Sequence, residues 1–284
     1  MSLLHVIILA VVQGLTELLP VSSSAHVVVA EKLMGMDASS PEMTLLLIML
    51  HTGTMFAVIV YFWKQWLDAY FASVETFLQS AWLVILATAI TGVIGEGLVK
   101  VIEHLTHADV EQLFDHLELI APALAAVGVL ILIAGSVEKR LPRATSKDGI
   151  GLNGGQAALI GAVQGLTLPF RGFSRSGATI STGMLAGVAK ARAETFSFAL
   201  AVLVTPPVIA REALRLLKAE HAGASVSFGS AAVPILTGTV CAFLAGLVAL
   251  KWLSGWLEGG RWYLFGIYCL IAAAAVMALH HAGY

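Results

Sequence analysis

Apolar residues occur along the chain in runs of two lengths, separated by short polar stretches. Six runs have the ~20 residues that a helix needs to cross a bilayer. They cover residues 43–63, 79–99, 118–137, 195–214, 229–250 and 262–281. Four shorter runs form two pairs, 3–19 with 24–35 and 151–168 with 175–188. A polar stretch containing proline interrupts each pair, which predicts two re-entrant helix hairpins.

The two hairpins carry a repeated motif. Gln-Gly-Leu-Thr begins at Gln13 and again at Gln164, and each copy leads into a proline and a hydroxyl-rich turn. Each half then holds one hairpin and three spans, and an odd number of spans inverts the second half relative to the first. We therefore predict an all-α polytopic membrane protein with an inverted-topology repeat. In this single membrane domain, 1–284, repeat one is 1–138, repeat two is 150–284, and a basic linker occupies 138–150.

Composition supports the membrane class. The chain is 58% hydrophobic and 12% charged, with a mean hydropathy of +0.88, whereas soluble domains carry about 25% charged residues. The net charge of −2 gives no reason to expect a nucleic-acid partner. Cys241 and Cys269 lie in apolar runs and suggest no metal-ligand cluster.

Loop charges predict the orientation. Nine loop lysines and arginines lie on the side opposite the N-terminus, against five on the N-terminal side, so the positive-inside rule places both termini outside the cytoplasm. Arg211, Arg215 and Lys218 are among the five and oppose this assignment. The nine are Lys64, Lys139, Arg140, Arg143, Lys147, Lys190, Arg192, Lys251 and Arg261.

The first motif places a carboxylate in an apolar run. Gln13 and Glu17 are four residues apart and share a helix face. An ionisable residue in such a run is usually functional, although a glutamate can also reach the interface or pair locally. The polar cluster continues through Thr16, Ser22, Ser23, Ser24 and His26. Serines are good helix N-caps, but hydroxyl, imidazole and carboxylate together are the parts of an activated nucleophile. A histidine can also act alone as nucleophile or acid/base.

The second motif, Gly172–Thr179, is suited to anions. Gly172 permits unusual backbone angles, and helix N-termini of this kind bind anions. Arg175 offers a planar, permanently charged fork for phosphate oxygens; alternatively it pairs with Glu17. Arg171 is either a second anion contact or a surface charge. The hydroxyl groups are those of Ser174, Ser176 and Thr179. Together the two motifs indicate phosphoryl chemistry on an amphiphile. His51, in the first span, either lines the cavity or packs against other helices, and packing is the favoured interpretation.

The sequence resembles the undecaprenyl pyrophosphate phosphatases of bacterial inner membranes over essentially its whole length. The matching residues are Gln13–Glu17, Leu19–Ser23, His26, Gly53–Thr54, Ala57–Trp63 and Gly172–Thr179. The resemblance implies hydrolysis of undecaprenyl diphosphate to the monophosphate, which recycles the carrier lipid for peptidoglycan synthesis. It also implies a site that both re-entrant motifs build and that opens to the periplasm. Bacitracin would compete by sequestering the substrate.

Roles for individual residues follow from the resemblance. Glu17 would be the general base or a metal-linked carboxylate, Ser23 the first candidate nucleophile, and His26 the acid/base or a rival nucleophile. Arg175 would hold the diphosphate. Further substrate contacts are expected from Gln13, Ser22, Ser24, Arg171, Gly172, Ser174, Ser176 and Thr179. A divalent cation, Mg²⁺ or Ca²⁺, is implied, with no organic cofactor, and a homodimer is left open.

The sequence departs from the family pattern near both motifs. Arg171 precedes Gly172 where the family usually has proline, the stretch from Gln164 to Ser174 is one residue longer, and Ala25 replaces the usual glycine. The added arginine would sharpen phosphate binding or mark a different lipid diphosphate. The competing function is a polyprenyl-phosphate flippase or transporter, which needs Arg175 but no nucleophile. A structural scaffold would leave Glu17 unexplained.

Overall fold

The computed structural model describes residues 2–36, 40–107, 110, 116–138, 151–221, 228–258 and 260–284, and over these residues the secondary structure is helical. The helices, numbered along the chain, are α1 Leu3–Leu18, α2 Ser23–Leu33, α3 Pro41–Tyr70, α4 Val74–Thr106, α5 Leu117–Val137, α6 Gly154–Thr167, α7 Arg175–Leu185, α8 Lys190–His221, α9 Phe228–Glu258 and α10 Tyr263–His281. The predicted all-α class is confirmed.

Six of these helices (α3, α4, α5, α8, α9 and α10) are long and apolar enough to cross a membrane, as predicted. Several extend beyond the predicted runs: α3, for example, continues to Tyr70 rather than ending near residue 63. The apolar run marks only the part of a helix that faces hydrocarbon, while backbone hydrogen bonding continues into the polar ends. Capping serines then set the helix starts, because Ser40 accepts from the Met43 N–H and Ser73 from the Thr76 N–H.

The four helices of the hairpins are too short to span. They have 16, 11, 14 and 11 residues, against the ~20 that a crossing needs. Pro20 ends the first one, since the residue before a proline avoids helical angles and Leu19 is indeed extended. In the second hairpin, an Asn153–Gln156 capping box starts α6 and Ser174 caps α7.

The most extensive helix–helix contacts join one half of the chain to the other. Helix α1 of the first half packs against α9 of the second, and α6 of the second half packs against α4 of the first. Helices α3 and α8, and likewise α5 and α10, pack on one another. The first two contacts each join the first helix of one predicted repeat to the fourth helix of the other, and the last two join helices of the same rank. The inverted topology of those repeats, and their boundaries, stay predictions.

The glycine of the repeated Gln-Gly-Leu-Thr motif allows helices from the two halves to pack closely. A Cβ on Gly14 would lie 2.5 Å from the Cβ of Ala245 in α9, and one on Gly165 would lie 2.8 Å from the carbonyl oxygen of Thr91 in α4. Small residues allow helix backbones to approach closely in a membrane. The duplicated Gln-Gly-Leu-Thr sequence thus seats the first helix of each hairpin against the opposite half.

The predicted basic linker, 138–150, falls mostly outside the described residues. Glu138 is described, whereas Lys139, Arg140, Arg143 and Lys147 are not. The Glu138 carboxylate accepts a hydrogen bond from the Lys190 ammonium and so ties the end of α5 to the start of α8.

Candidate active site

The turns of the two hairpins meet at a cavity of about 210 Å³. The first hairpin contributes Glu17 from the end of α1 and the serines at the start of α2. The second contributes Arg171 from its turn and Arg175 from the first residue of α7. The hydroxyl groups that line the cavity include those of Ser22, Ser23, Ser24, Ser174 and Ser176. The structure therefore brings together most of the residues predicted from the two motifs.

The Glu17 carboxylate is the centre of this site. Its Oε1 accepts a hydrogen bond from Nη2 of Arg175 at 2.8 Å. Its Oε2 accepts from the Ser23 hydroxyl at 2.5 Å and from Nε2 of Gln13 at 3.1 Å. The side chain is only 14% exposed, so its charge needs the compensation that these three donors supply.

Two further hydrogen bonds join the hairpins beside this ion pair. The N–H of Gly172 donates to Oγ of Ser24 at 3.2 Å, and the Ser176 hydroxyl donates to the carbonyl oxygen of Leu19 at 3.4 Å. Gly172 has φ +95° and a Cβ there would lie 2.6 Å from the carbonyl oxygen of Ile120, so both the backbone angle and the space require glycine. The relative position of the two turns is thus fixed by backbone as well as by charge.

The start of α7 forms the anion-facing wall. Oγ of Ser174 accepts from the N–H of Gly177 at 3.2 Å and lies 3.4 Å from Oγ of Ser176. The positive end of the helix dipole and the guanidinium of Arg175 therefore lie on the same side of the cavity. Both favour negative charge in the space between the hairpins.

His51 lines the cavity, which is the less favoured of the two roles predicted for it. Its Nδ1 lies 2.8 Å from the carbonyl oxygen of Leu47, which can only accept, so Nδ1 carries a proton. Nε2 then faces Glu17, 3.7 Å from Oε2, and the side chain is 43% exposed. The signal available in the sequence was the polar stretch His-Thr-Gly-Thr within an apolar span, since such a stretch usually faces a cavity.

His26 faces away from the cavity. Its Nδ1 lies 2.7 Å from the carbonyl oxygen of Ser22 and its Nε2 lies 2.7 Å from the hydroxyl oxygen of Tyr268 in α10. It is not among the described residues that line the cavity with Glu17. Both ring nitrogens are hydrogen-bonded outside the cavity, and the acid/base or nucleophilic role of His26 stays a prediction.

Comparison with known proteins gives the family. The model of the family described as bacitracin resistance protein BacA matches residues 6–275. The chain belongs to this family. It is 57% identical to the undecaprenyl-diphosphatase 2 of Acinetobacter baylyi, with 98% of each chain covered. It is 34% identical to undecaprenyl-diphosphatase 1 of Burkholderia pseudomallei, with 96% of this chain and 95% of the other covered. It is also 32% identical to the undecaprenyl-diphosphatase of Parabacteroides distasonis, again with 98% of each covered.

Thr179 and Gln13, which were predicted to bind substrate in this BacA-family chain, contact residues of the site and not the cavity. The buried Thr179 hydroxyl donates to the carbonyl oxygen of Arg175 at 2.8 Å and lies 2.5 Å from Oγ of Ser197. Gln13, a residue of α1, is buried, and its Nε2 donates to the Glu17 carboxylate. Neither is among the described residues that line the cavity. Thr179 therefore contacts the backbone of Arg175 and Gln13 the carboxylate of Glu17, and their predicted substrate contacts stay predictions.

The donor set limits how a divalent cation could bind. Across the residues described, no three His, Cys, Asp or Glu side chains are close enough to form a metal site. Glu17 is the one carboxylate among the described lining residues. Mg²⁺ is commonly held by one or two carboxylates together with substrate phosphates. The residues therefore fit a cation shared with a bound diphosphate, and they do not fit one held by the protein by itself.

Proposed function

We propose that this protein hydrolyses undecaprenyl diphosphate, or a closely related isoprenoid diphosphate, to the lipid monophosphate and inorganic phosphate. The observation that carries the proposal is that one buried carboxylate, Glu17, bonds both a hydroxyl nucleophile and a guanidinium at a membrane-embedded cavity. Family membership and the names of the relatives support the same reaction. The product would re-enter cell-wall synthesis as carrier lipid.

Ser23 is the proposed nucleophile. Its hydroxyl already donates to Glu17 at 2.5 Å, so Glu17 is placed to take the proton as Oγ attacks the terminal phosphorus. The new Oγ–P bond replaces the bond to the bridging oxygen, and the lipid monophosphate leaves. The proton that Glu17 took passes to the leaving lipid monophosphate, so Glu17 is again a carboxylate. It then takes a proton from a water molecule that attacks the phosphoserine, and it returns that proton to Oγ of Ser23 as inorganic phosphate leaves. Each step conserves its atoms and needs no other reactant.

Arg175 would neutralise charge on the phosphoryl group. In the structure without substrate it pairs with Glu17. A diphosphate carries more negative charge than a carboxylate and accepts bidentate hydrogen bonds from a guanidinium. Substrate would therefore draw Arg175 toward the transferring phosphoryl group, where positioned cations stabilise the transition state. The same movement frees Glu17 Oε1 to act as a base.

His51 is proposed to relay the Ser23 proton from Glu17 to the leaving oxygen. Its Nε2 has no proton in the neutral tautomer with Nδ1–H and lies 3.7 Å from Oε2 of Glu17, so it can accept that proton and pass it on. Among the ring nitrogens near the site, its Nε2 faces the cavity, while His26 is bonded elsewhere. A histidine in this position could return to the leaving phosphate the proton that its product needs at neutral pH. A divalent cation shared by Glu17 and the diphosphate would add Lewis-acid stabilisation of the phosphate charge.

An adjoining cleft suits the lipid part of the substrate. It begins at Glu17 and Arg175 and runs between α3 and α8, where Met55, Val58 and Val202 line it. The cleft has a volume of only about 20 Å³, so we propose that α3 and α8 move apart to admit the first isoprene units along this apolar lining. We propose that this site opens to the periplasm and that both termini are periplasmic, as the loop charges favour. A periplasm-active reporter enzyme fused after Tyr284 should then be active, and a silent fusion would reverse the orientation.

The hydrolysis is tested by phosphate release from purified protein in detergent. Undecaprenyl diphosphate and farnesyl diphosphate should each yield inorganic phosphate and the matching monophosphate, whereas farnesyl monophosphate should yield none. Protein with Ser23→Ala is the matched control for contaminating phosphatases. Absence of release above that control would reject the proposal. Lipid flipping by Ser23→Ala protein in vesicles would instead favour the transporter alternative, which needs no nucleophile.

A further inference from the structure

The residue before the proposed nucleophile has an unusual backbone conformation. Ser22 has φ +69° and ψ +95°, a region that residues with a Cβ rarely adopt. Such conformations persist only where surrounding contacts hold them, and they concentrate at functional sites. Ser22 is buried, and its backbone direction decides where Ser23 and Ser24 point. Whatever holds Ser22 therefore also positions the nucleophile.

The side chain that holds Ser22 is His26. The Ser22 carbonyl oxygen accepts from Nδ1 of His26 at 2.7 Å, as well as from the His26 backbone N–H at 3.4 Å. Because a carbonyl can only accept, Nδ1 must carry the proton. In the neutral ring Nε2 is then an acceptor, and the Tyr268 hydroxyl donates to it at 2.7 Å. The two rings are also stacked, with centroids 5.7 Å apart and an interplanar angle of 12°.

The next residue of α10 contacts the same turn. The Cys269 thiol donates to the carbonyl oxygen of Pro20 at 3.6 Å. Cys269 therefore contacts Pro20 at one end of the turn directly. The adjacent Tyr268 contacts Ser22 at the other end through His26. Near this point, Ala25 and Val28 of α2 share an apolar cluster with residues of α10. The turn that carries Ser23 is thus supported from outside the cavity by the other half of the chain.

We propose that Tyr268 and His26 form a positioning pair for the nucleophile turn, an inference that rests on the proposed function. The Tyr268 hydroxyl fixes the tautomer and the orientation of the imidazole. The imidazole holds the Ser22 carbonyl, and this keeps Oγ of Ser23 against Glu17. Neither side chain touches the substrate. The role assigned to His26 is therefore different in kind from the acid/base role that its place in the motif predicts.

A competing explanation is that Tyr268 only satisfies two polar groups near the lipid. Tyr268→Phe separates the two, because it keeps the stacked ring and removes the donor. For a positioning pair we expect kcat to fall about tenfold with KM changed by less than about twofold, as for a group that acts only on the transition-state geometry. The melting temperature should stay within experimental error. Tyr263→Phe is the matched control, since Tyr263 lies on the same helix and is equally exposed, at 44%.

Substitutions of His26 test the atom that matters. Asparagine places its amide nitrogen where Nδ1 lies, so His26→Asn should keep activity within about tenfold of wild type, whereas His26→Ala should lose about a hundredfold or more. Adding Tyr268→Phe to His26→Asn should cost little further, because the asparagine offers nothing for Tyr268 to orient. Independent effects would multiply instead.

The outcomes separate this inference from the proposed function. No phosphate release by wild-type protein would reject the proposed function and the pair with it. If wild-type protein releases phosphate and Tyr268→Phe leaves the kinetics unchanged, or raises KM with kcat intact, only the positioning pair is rejected. Folded His26→Asn protein as inactive as His26→Ala would also reject it, because the imidazole itself would then be needed at the reaction. If His26→Ala fails to fold, Tyr268→Phe and His26→Asn still decide the matter.

Discussion

Glu17 and Arg175 are 158 positions apart in the chain, yet Oε1 of one lies 2.8 Å from Nη2 of the other. Each residue ends or begins a helix too short to cross a membrane. Neither hairpin alone has both the carboxylate that can activate a hydroxyl and the guanidinium that can hold a phosphate. The site therefore exists only where the two halves of the chain meet.

A covalent intermediate is the first expected consequence. The Ser23 hydroxyl is hydrogen-bonded to Glu17, which can take its proton. Incubation with undecaprenyl diphosphate followed by an acid quench should therefore leave phosphate on Ser23. Peptide mass spectrometry would detect it. Ser23→Ala should abolish the labelled peptide and lower phosphate release by at least about a hundredfold. Labelling at His26 or His51 instead would move the nucleophile to a histidine.

Removal of the cavity-facing imidazole should slow turnover. His51→Gln keeps a similar size and polarity but cannot donate a proton as an acid. It should lower kcat about ten- to a hundredfold, the usual contribution of general acid catalysis at its lower end. His280→Gln, at the far end of α10 beside Glu118, is the control and should behave as wild type. Equal kinetics for both variants would remove His51 from the mechanism.

Divalent cations should bind only together with substrate. Glu17 is the one carboxylate that lines the cavity among the described residues, and the remaining ligands of a bound Mg²⁺ would be diphosphate oxygens and water. Calorimetric titration of Mg²⁺ into protein alone should therefore show no heat of binding at the site, whereas chelation during turnover should lower phosphate release and added Mg²⁺ should restore it. Stoichiometric binding without substrate, lost in Glu17→Gln, would contradict the shared site.

The repeated glycine should control stability rather than chemistry. Gly14→Ala and Gly165→Ala each place a methyl group less than 3 Å from the facing helix, so the helices must separate. Overpacking of this kind costs about 1–3 kcal/mol, and both variants should melt at lower temperature in detergent. Gly97→Ala is the control: it lies in α4 with nothing within 4 Å, and alanine favours helix by about 1 kcal/mol. A control that melts lower than Gly14→Ala would contradict this explanation.

Sequence patterns identified the architecture because a bilayer restricts the choices. Runs near 20 apolar residues become spans, and shorter runs broken at Pro20 or before Ser174 become hairpins. The repeated motif, with a carboxylate in one copy and an arginine in the other, predicted which turns to bring together. Helix ends were misplaced because polar residues such as Lys64, Gln65 and Asp68 continue α3 beyond its apolar run.

The direction of individual side chains could not be read from the same patterns. His26 lies within one helical turn of Ser23 in sequence, but its imidazole is hydrogen-bonded to the Ser22 carbonyl and to Tyr268. Tyr268 is 242 residues away, so local spacing gave no sign of it. His51 approaches Glu17 only because α3 packs against α1. Contacts of this kind depend on tertiary packing, which a single sequence does not display.

The central claim is that the two hairpins act on one diphosphate through Glu17 and Arg175. It is tested most directly by phosphate release from undecaprenyl diphosphate with wild type, Glu17→Gln, Arg175→Ala and the exposed control Arg211→Ala, each shown to be folded. We predict that both site variants lose more than about a hundredfold in kcat/KM. Arg211→Ala should match wild type. Wild-type turnover in either folded site variant would contradict the account.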